Sequence, residues 1–458
     1  MRRFGEPPEI IEDSFEKVVM YGQSLHTFDP LWRGKWGEIY KRQEKIKIKD
    51  DEILLFTEDK DREKPVMLKV PTMEEGMTIL VAAIQGGGKS GVVKAWLDQF
   101  ILKNCKILYI EPKGYDSVTM GKPQDDPAAF PILEKFGMKP KGYKIQEVIP
   151  EFVAEDEPHA RKWKLDVGDF WHLPKTTQIS TWCNFLDIKE MSGAGRMLQD
   201  VLMMGTKEKG PKNIEQIMHF TDIQIRKDTE RRKMIKMTGV SSKALLYRLE
   251  QKVRTMQLGK GRPFDFVKSM VENDVTILRT PFDSENLVSM NVYISVAINR
   301  ILADRTRYVK TNGRIGFQSQ PIVIVVEEAD FLIGTHIKNI ASHVLYNIPA
   351  RRRHEGISLI LITQNSDLIQ DKFVRASKYI ATTQVTHESQ KKILRMRSVP
   401  EFLIQNKLAR LEVKSGDFPV NEWLFLDPNE PGEAKTGFPI YPRTKLLKPG
   451  EGLKDIYG

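Results

Sequence analysis

The stretch Thr78–Phe100, TILVAAIQGGGKSGVVKAWLDQF, decides the fold of this 458-residue chain. An apolar run typical of a β-strand leads into three glycines, a lysine and a serine, and an apolar-periodic helix follows. Glycine adopts positive φ and carries no Cβ, so consecutive backbone N–H groups can turn inward around phosphate oxygens. Because strand, turn and helix occur in this order, the stretch predicts a phosphate-binding loop rather than an incidental Gly-Lys-Ser turn.

The predicted loop consists of Gln85, Gly86, Gly87, Gly88, Lys89, Ser90 and Gly91. Lys89 is expected to bring a point charge to the β- and γ-phosphates of a nucleotide, and the Ser90 hydroxyl to ligate Mg²⁺. The positive end of the helix dipole would face the same phosphates. Ala83 is a departure from the pattern G-x-x-x-x-G-K-[ST], because it stands where that pattern has its first glycine.

A second apolar strand is predicted in QPIVIVVEEADFL, residues 320–332, an almost unbroken β-branched run of the kind that is buried on both faces. It ends in Glu327 and Glu328. An acidic pair at the tip of a buried strand, downstream of a phosphate loop, predicts that Glu327 orders Mg²⁺ and that Glu328 orients or deprotonates the attacking water. The usual pair is Asp-Glu, so Glu327 is a departure, and the alternative is two acids that merely leave the sheet.

A further strand is predicted in GISLILITQNSD, residues 356–367, again apolar and ending in polar groups. Gln364 at its end is a candidate for sensing the γ-phosphate or holding the water. The segment ARRRHEG precedes this strand and contains Arg351, Arg352 and Arg353. Arginine at a subunit boundary stabilises charge that develops in phosphoryl transfer. The alternative is a solvated basic helix end.

Composition narrows the class of protein. The net charge is +10, and residues 205–262 hold 15 Lys and Arg against 6 Asp and Glu, a net of +9. Such a helical, basic tract is either a solvated face or a surface for nucleic-acid phosphates. Two cysteines make neither a disulfide framework nor a metal cluster, and no apolar run is long enough to cross a bilayer. We therefore expect a soluble, cytoplasmic protein.

The motifs together resemble the HerA/FtsK superfamily of ring-forming, DNA-pumping ATPases, which includes archaeal DNA-end-processing translocases, conjugative-transfer ATPases and viral genome-packaging motors. The resemblance is carried by AAIQGGGKS, ILYIEPKG, SSKALLYRLE, IVIVVEEAD and RRRHEGISLILITQNSD. It extends over roughly residues 78–428. A strand that ends in Thr-Gln just after an arginine-containing segment separates this group from small-molecule P-loop kinases.

We expect an α/β fold. The resemblance implies a RecA-like P-loop NTPase core with a mostly parallel sheet and a helical insertion, and the alternating residues before the loop predict a small N-terminal β element. It makes Lys89 and Ser90 the nucleotide and Mg²⁺ ligands, Glu328 the catalytic carboxylate and Gln364 the sensor. It suggests Arg353, and next Arg352, as a finger that acts on a neighbouring subunit. ATP and Mg²⁺ are the implied cofactors. The implied partners are double-stranded DNA, bound independently of sequence, and further copies of the chain in a hexameric ring. The chain would reach a membrane or a virion only through another protein.

On this basis the chain is divided into an N-terminal appendage (1–70), a core (71–119 and 263–435), an insertion whose second half is helical and basic (120–262), and a tail (436–458). The appendage is expected to contain a β-hairpin, and two late runs, KYIATTQ and NEWLFLDP, are expected to be edge strands.

Three other functions fit parts of the pattern. A P-loop kinase that acts on a small acceptor would not need the basic insertion. A non-hydrolysing, ATP-gated scaffold would bind nucleotide without releasing phosphate. A protein-secretion or pilus-type ATPase would use the same motor without requiring DNA.

Overall fold

The computed structural model describes residues 48–58, 64–70, 76–112, 115–153, 158–171, 173, 175–204, 211–235, 240–255, 257–259, 264–281, 287–313, 320–335, 340–351, 353–383, 388–407, 411, 421–427, 434–448 and 451–457. For some residues inside helices it describes the backbone alone. Residues 1–47, the larger part of the predicted appendage, lie outside the described ranges.

The strands of the described residues are β1 Glu52–Thr57, β2 Pro65–Lys69, β3 Thr78–Ala82, β4 Lys106–Glu111, β5 Ile145–Pro150, β6 Arg161–Trp163, β7 Val275–Arg279, β8 Ile322–Val326, β9 Ile357–Thr363, β10 Tyr379–Thr382, β11 Trp423–Leu426 and β12 Lys435–Gly437. β1 and β2 form a hairpin, and the others form one sheet in the order β12-β11-β10-β3-β9-β8-β4-β7-β5-β6. From β10 to β6 all neighbours are parallel, whereas β11 and β12 are antiparallel. The predicted fold class, an α/β P-loop NTPase core with a mostly parallel sheet, is confirmed.

The helices of the described residues are α1 Lys89–Leu102, α2 Phe130–Lys135, α3 Val167–Phe170, α4 Lys175–Phe185, α5 Gly193–Met203, α6 Ile214–Ile235, α7 Val240–Arg254, α8 Phe266–Glu272, α9 Leu287–Asn312, α10 Asp330–Ile333, α11 Ile340–Arg351, α12 Asp371–Ala376, α13 Glu388–Met396 and α14 Leu453–Tyr457. In the described part of the chain, no helix combines the length and the apolar composition needed to cross a bilayer.

The central strands are buried on both faces, and successive side chains enter two different cores because side chains alternate along a strand. Val323 and Val325 of β8 belong to the core that contains α1. Ile324 and Val326 belong to the core on the opposite face, which contains α4, α5 and α9. Burial on both faces explains why these strands read as continuous apolar runs.

Helix α1 is buried from Gly91 to Phe100, on its outer side as well as against the sheet. The one-sided apolar face that its sequence predicts is therefore only part of its packing. Trp96 packs edge-on between Phe56 and Phe425. Gln99 exchanges two hydrogen bonds with the backbone of Leu54, at 2.6 and 2.9 Å. The hairpin β1–β2 therefore covers the helix that begins at the phosphate loop.

Two strands come from the range 120–262 that the sequence assigns to the insertion. β5 pairs with β7 and β6 pairs with β5, so they widen the sheet at one edge. The division into domains itself stays a prediction. The prediction that the runs around β10 and β11 form edge strands is wrong. β10 lies between β3 and β11, and β12, at the predicted boundary between core and tail, covers β11.

Candidate nucleotide-binding site

The parallel strands β3, β9, β8 and β4 lie side by side, so their carboxyl ends meet at one edge of the sheet. Ligands of open α/β sheets gather at this edge. The predicted phosphate loop comes after β3, the acidic pair after β8 and Gln364 after β9. The structure therefore brings these three motifs together.

The turn from β3 to α1 uses its glycines where the backbone requires them. Gly86 and Gly88 have φ of 75° and 82°, in the left-handed region that favours glycine. At Gly87 a Cβ would lie 3.0 Å from the Ile84 carbonyl oxygen and 3.2 Å from the Ala83 Cβ. Ala83 itself is buried, and its N–H donates to the Thr363 carbonyl at 3.3 Å. The methyl group at this departure from the motif is thus accommodated inside the turn.

Lys89 folds its ammonium group back into the loop. Its Nζ donates to the carbonyl oxygens of Ala83 and Ile84, at 2.9 and 3.0 Å. Burial lowers the pKa of Lys89, and the carboxylates of Glu328 and Glu327 oppose this shift. The loop therefore holds a cation at its centre, within the electrostatic field of the acidic pair.

Ser90 and Glu327 make the direct link between the loop and strand β8. Ser90 Oγ donates to Glu327 Oε1 at 2.8 Å, and Tyr109 Oη approaches Glu327 Oε2 at 3.4 Å. The pKa of Glu327 is raised to about 8, first by burial and then by the charges of Glu111 and Asp116. A divalent cation placed between Ser90 and Glu327 would find a hydroxyl and a carboxylate, both suited to Mg²⁺.

Glu328 faces the end of the neighbouring strand. Its carboxylate Oε1 accepts a hydrogen bond from Gln364 Nε2, the predicted sensor. Glu328 is 8% exposed and has a φ of 47°. A glutamate in the left-handed region is uncommon, and such backbone strain persists where the surrounding structure over-determines it. The acidic pair therefore diverges, with Glu327 turned to the loop and Glu328 to β9.

Arg353 lies at the other end of β9. The 3₁₀ turn Arg353–Glu355 comes before the strand, whereas Gln364 comes after it. A seven-residue strand spans about 23 Å. Arg352 lies outside the described residues, and only the backbone of Arg353 is described. The structure therefore does not bring the predicted arginine finger to the nucleotide loop of its own chain.

Lys94 and Glu111 at this site were missed in the sequence. Lys94 lies one helical turn after Ser90, has no exposed surface, and donates to Asp116 O and to Thr119 Oγ1. Glu111 at the end of β4 accepts hydrogen bonds from Asp116 N, at 2.8 Å, and from Ser117. Only the position of Glu111 at a strand end signalled a role.

The predicted nucleic-acid surface is only partly described. Arg226 and Lys227 on α6 are exposed, whereas only the backbone of residues 231–233 is described. Lys252 on α7 is turned inward, with its Nζ 4.7 Å from the centre of the Phe185 ring. Burial lowers the pKa of Lys252 to about 8. Part of the +9 charge of this tract thus serves packing rather than the surface.

No family model and no curated protein matches the sequence. Among solved structures, VirB4 of Thermoanaerobacter pseudethanolicus superposes with a TM-score of 0.50 at 13% identity, over 88% of this chain and 99% of that chain. The plasmid coupling protein TrwB in complex with ADP and Mg²⁺ gives 0.44 at 10% identity, over 84% and 89%. The genome packaging NTPase B204 from Sulfolobus turreted icosahedral virus 2 in complex with ATP-gammaS gives 0.33 at 9% identity, over 80% and 98%. The likeness to VirB4 concerns the fold alone, and at that level it agrees with the predicted α/β fold with a mostly parallel sheet.

Proposed function

We propose that this chain is an ATP hydrolase of the HerA/FtsK type that works in a homo-oligomeric ring and moves DNA. The observation that carries the proposal is a pair of hydrogen bonds at one sheet edge, from Ser90 to Glu327 and from Gln364 to Glu328. A P-loop alone would support any nucleotide-binding function. A second carboxylate held by the sensor glutamine supports hydrolysis, because it provides a group placed to act on water.

The residues fit ATP and Mg²⁺. The backbone of Gln85–Gly91 would surround the phosphates, with Lys89 released from its own loop carbonyls to meet them. Ser90 and Glu327 would hold Mg²⁺, which when bound neutralises charge on the phosphates. Glu328 would accept a proton from the attacking water or orient it, and Gln364 would fix the direction of the Glu328 carboxylate.

The position of the arginine segment supports a ring. Arg353 lies at the amino end of β9, about a strand length from the site at the carboxyl end. A finger from this segment would therefore act on the site of an adjacent subunit. By the family resemblance the ring is hexameric.

The case for DNA rests on charge and on the family resemblance. The net charge of +9 in residues 205–262 suits a phosphate backbone, with Arg226 and Lys227 exposed on α6. Phosphate contacts position a protein on a duplex without reading its sequence. We place this activity in the cytoplasm, since both cysteines, Cys105 and Cys183, are buried and unpaired.

The experiment is phosphate release by the full chain, with and without double-stranded DNA, together with native mass. Turnover that DNA stimulates, in an assembly of several copies, is expected. Lys89→Ala should abolish nucleotide binding. Glu328→Gln should retain binding and slow turnover by about 10²- to 10⁴-fold, the usual cost of losing a general base.

The outcomes separate the alternatives. Turnover without any effect of DNA would favour a protein-secretion or pilus-type ATPase. Turnover only after a small acceptor is added would favour a kinase. Nucleotide binding without phosphate release would favour a scaffold. Hydrolysis by Glu328→Gln at near the parent rate would remove Glu328 from the catalytic role.

A further inference from the structure

Asp330 is a third carboxylate at the strand edge, two residues after Glu328, and neither the loop motif nor the acidic pair accounts for it. Its side chain is 8% exposed. Asp330 Oδ1 accepts from Thr363 Oγ1 at 3.1 Å, and Asp330 Oδ2 accepts from Asn365 Nδ2 at 3.2 Å. These two donors flank Gln364, so the Asp330 carboxylate is hydrogen-bonded to the residues on both sides of the predicted sensor.

The backbone strengthens the same junction. Ala329 N donates to Ile362 O at 2.7 Å, and Asn365 N donates to Thr363 Oγ1 at 3.0 Å. Asp330 is also the first residue of α10, yet its carboxylate reaches across to the end of β9. A buried carboxylate shared between two strand ends fixes their relative position, because charge-assisted hydrogen bonds are strong and directional.

The residues that Asp330 fixes are those that face each other in the site. Glu328 immediately precedes Ala329 and Asp330, and its strained φ of 47° needs support from its surroundings. Gln364 lies between Thr363 and Asn365, and its amide donates to the Glu328 carboxylate. A shift of β9 relative to β8 at this point would separate Glu328 from Gln364.

We propose that Asp330 is a positioning residue, whose bonds to Thr363 and Asn365 set the geometry of the Glu328–Gln364 pair for hydrolysis. Asp330 itself does not meet the reacting atoms. The inference rests on the proposed ATPase function and adds to it the part of the site that aligns the carboxylate with its sensor. It requires the rate of turnover, rather than nucleotide affinity, to depend on Asp330.

The test exchanges the two partners. Asn365→Asp places a second carboxylate against Asp330 Oδ2, so the bond becomes a repulsion. In the double variant, which also carries Asp330→Asn, the new amide at 330 donates to the new carboxylate at 365. The remaining side-chain oxygen at 330 still accepts from Thr363. Asn365 is exposed, so its substitution does not disturb the core. Asp367→Asn, which changes an exposed carboxylate of the same turn, is the matched control.

We expect Asn365→Asp to lower kcat by about 10- to 100-fold, since small misplacements at a catalytic centre cost up to about 10²-fold. KM for ATP and the Kd of a fluorescent ATP analogue should stay within about 3-fold. The double variant should recover kcat to within about 3-fold of the parent. Asp367→Asn should match the parent throughout.

Parent kcat in Asn365→Asp, or a double variant no faster than Asn365→Asp, would overturn the inference. A parent protein without ATP turnover would instead overturn the proposed function. In that case the interaction between residues 330 and 365 is tested by thermal unfolding of the parent, the two single variants and the double variant. A double variant that regains the stability lost in Asn365→Asp supports it, and additive losses contradict it.

Discussion

Replacing Glu327 by glutamine should make the protein more stable while it removes a carboxylate that we propose binds Mg²⁺. Glutamine has the shape of glutamate and keeps both contacts, since its Oε1 can accept from Ser90 Oγ and its Nε2 can donate to Tyr109 Oη. The substitution removes only the charge. That charge is costly, because burial and the neighbouring carboxylates Glu111 and Asp116 raise the pKa of Glu327 to about 8.

The size of the effect follows from this shift. The pKa rises from 4.5 to about 8, and each unit corresponds to about 1.4 kcal/mol. The full shift therefore gives a cost of about 5 kcal/mol in the nucleotide-free protein. Part of the Glu327 residue still reaches solvent, which screens the charge, so we expect about 2 to 5 kcal/mol. With an unfolding entropy of about 2 cal/mol/K per residue, Tm should rise by about 2 to 5 °C.

The effect should depend on pH in a defined direction. Below about pH 4.5 the carboxyl is protonated in the folded and in the unfolded chain, so glutamate and glutamine differ little. Between pH 4.5 and about 8 the unfolded chain releases the proton and the folded chain keeps it, so the parent loses stability as pH rises. The advantage of Glu327→Gln should therefore grow up to about pH 8 and then level off.

The assay is thermal unfolding of parent and variant between pH 5 and pH 8.5, with Glu134→Gln, a change at an exposed carboxylate on α2, as the control. In a second series, Mg²⁺ and ADP should raise the Tm of the parent. In Glu327→Gln, the part of this increase that requires Mg²⁺ should be lost. The reasoning is refuted if the difference in Tm between Glu327→Gln and parent is the same at pH 5 and pH 8.5, or if the variant is the less stable protein at pH 8.5.

Three further predictions concern assembly, DNA and the core. Inactive Arg353→Ala subunits mixed with inactive Glu328→Gln subunits should regain some turnover, because the proposed ring would then contain some intact composite sites. No recovery, with mixing confirmed, would contradict a finger that acts between subunits. Charge reversal at residues 231–233 should reduce the slope of log binding constant against log salt concentration for DNA by up to about 3, and should leave ATP binding intact. An unchanged slope and an unchanged DNA affinity would show that the DNA surface lies elsewhere. Trp96→Ala should lower the free energy of unfolding in urea by about 3 to 5 kcal/mol, because the side chain is fully buried between Phe56 and Phe425. A decrease below about 1 kcal/mol would contradict that packing.

The phosphate loop and the acidic pair could be predicted because their chemistry is local. Gly86 and Gly88 need positive φ wherever such a turn occurs, and Lys89 and Ser90 follow them at fixed spacing. Asp330 could not be assigned in the same way. Its role depends on Thr363 and Asn365, about 35 residues away, and only the pairing of β8 with β9 brings them within hydrogen-bonding distance.

The sequence by itself determined the parallel sheet, the order of the three motifs and the apolar strands between them, because periodicity and turn chemistry act over a few residues. Only the tertiary structure decided which strands pair in the sheet and which elements pack against each other. β5 and β6 join the sheet from the range that the sequence assigns to the insertion, and β12 joins it at the predicted boundary between core and tail. Strands that are far apart in the sequence can still form hydrogen bonds with each other. Lys94 likewise looks like an ordinary helical lysine, and only the packing of the loop after β4 onto α1 encloses it beside Asp116.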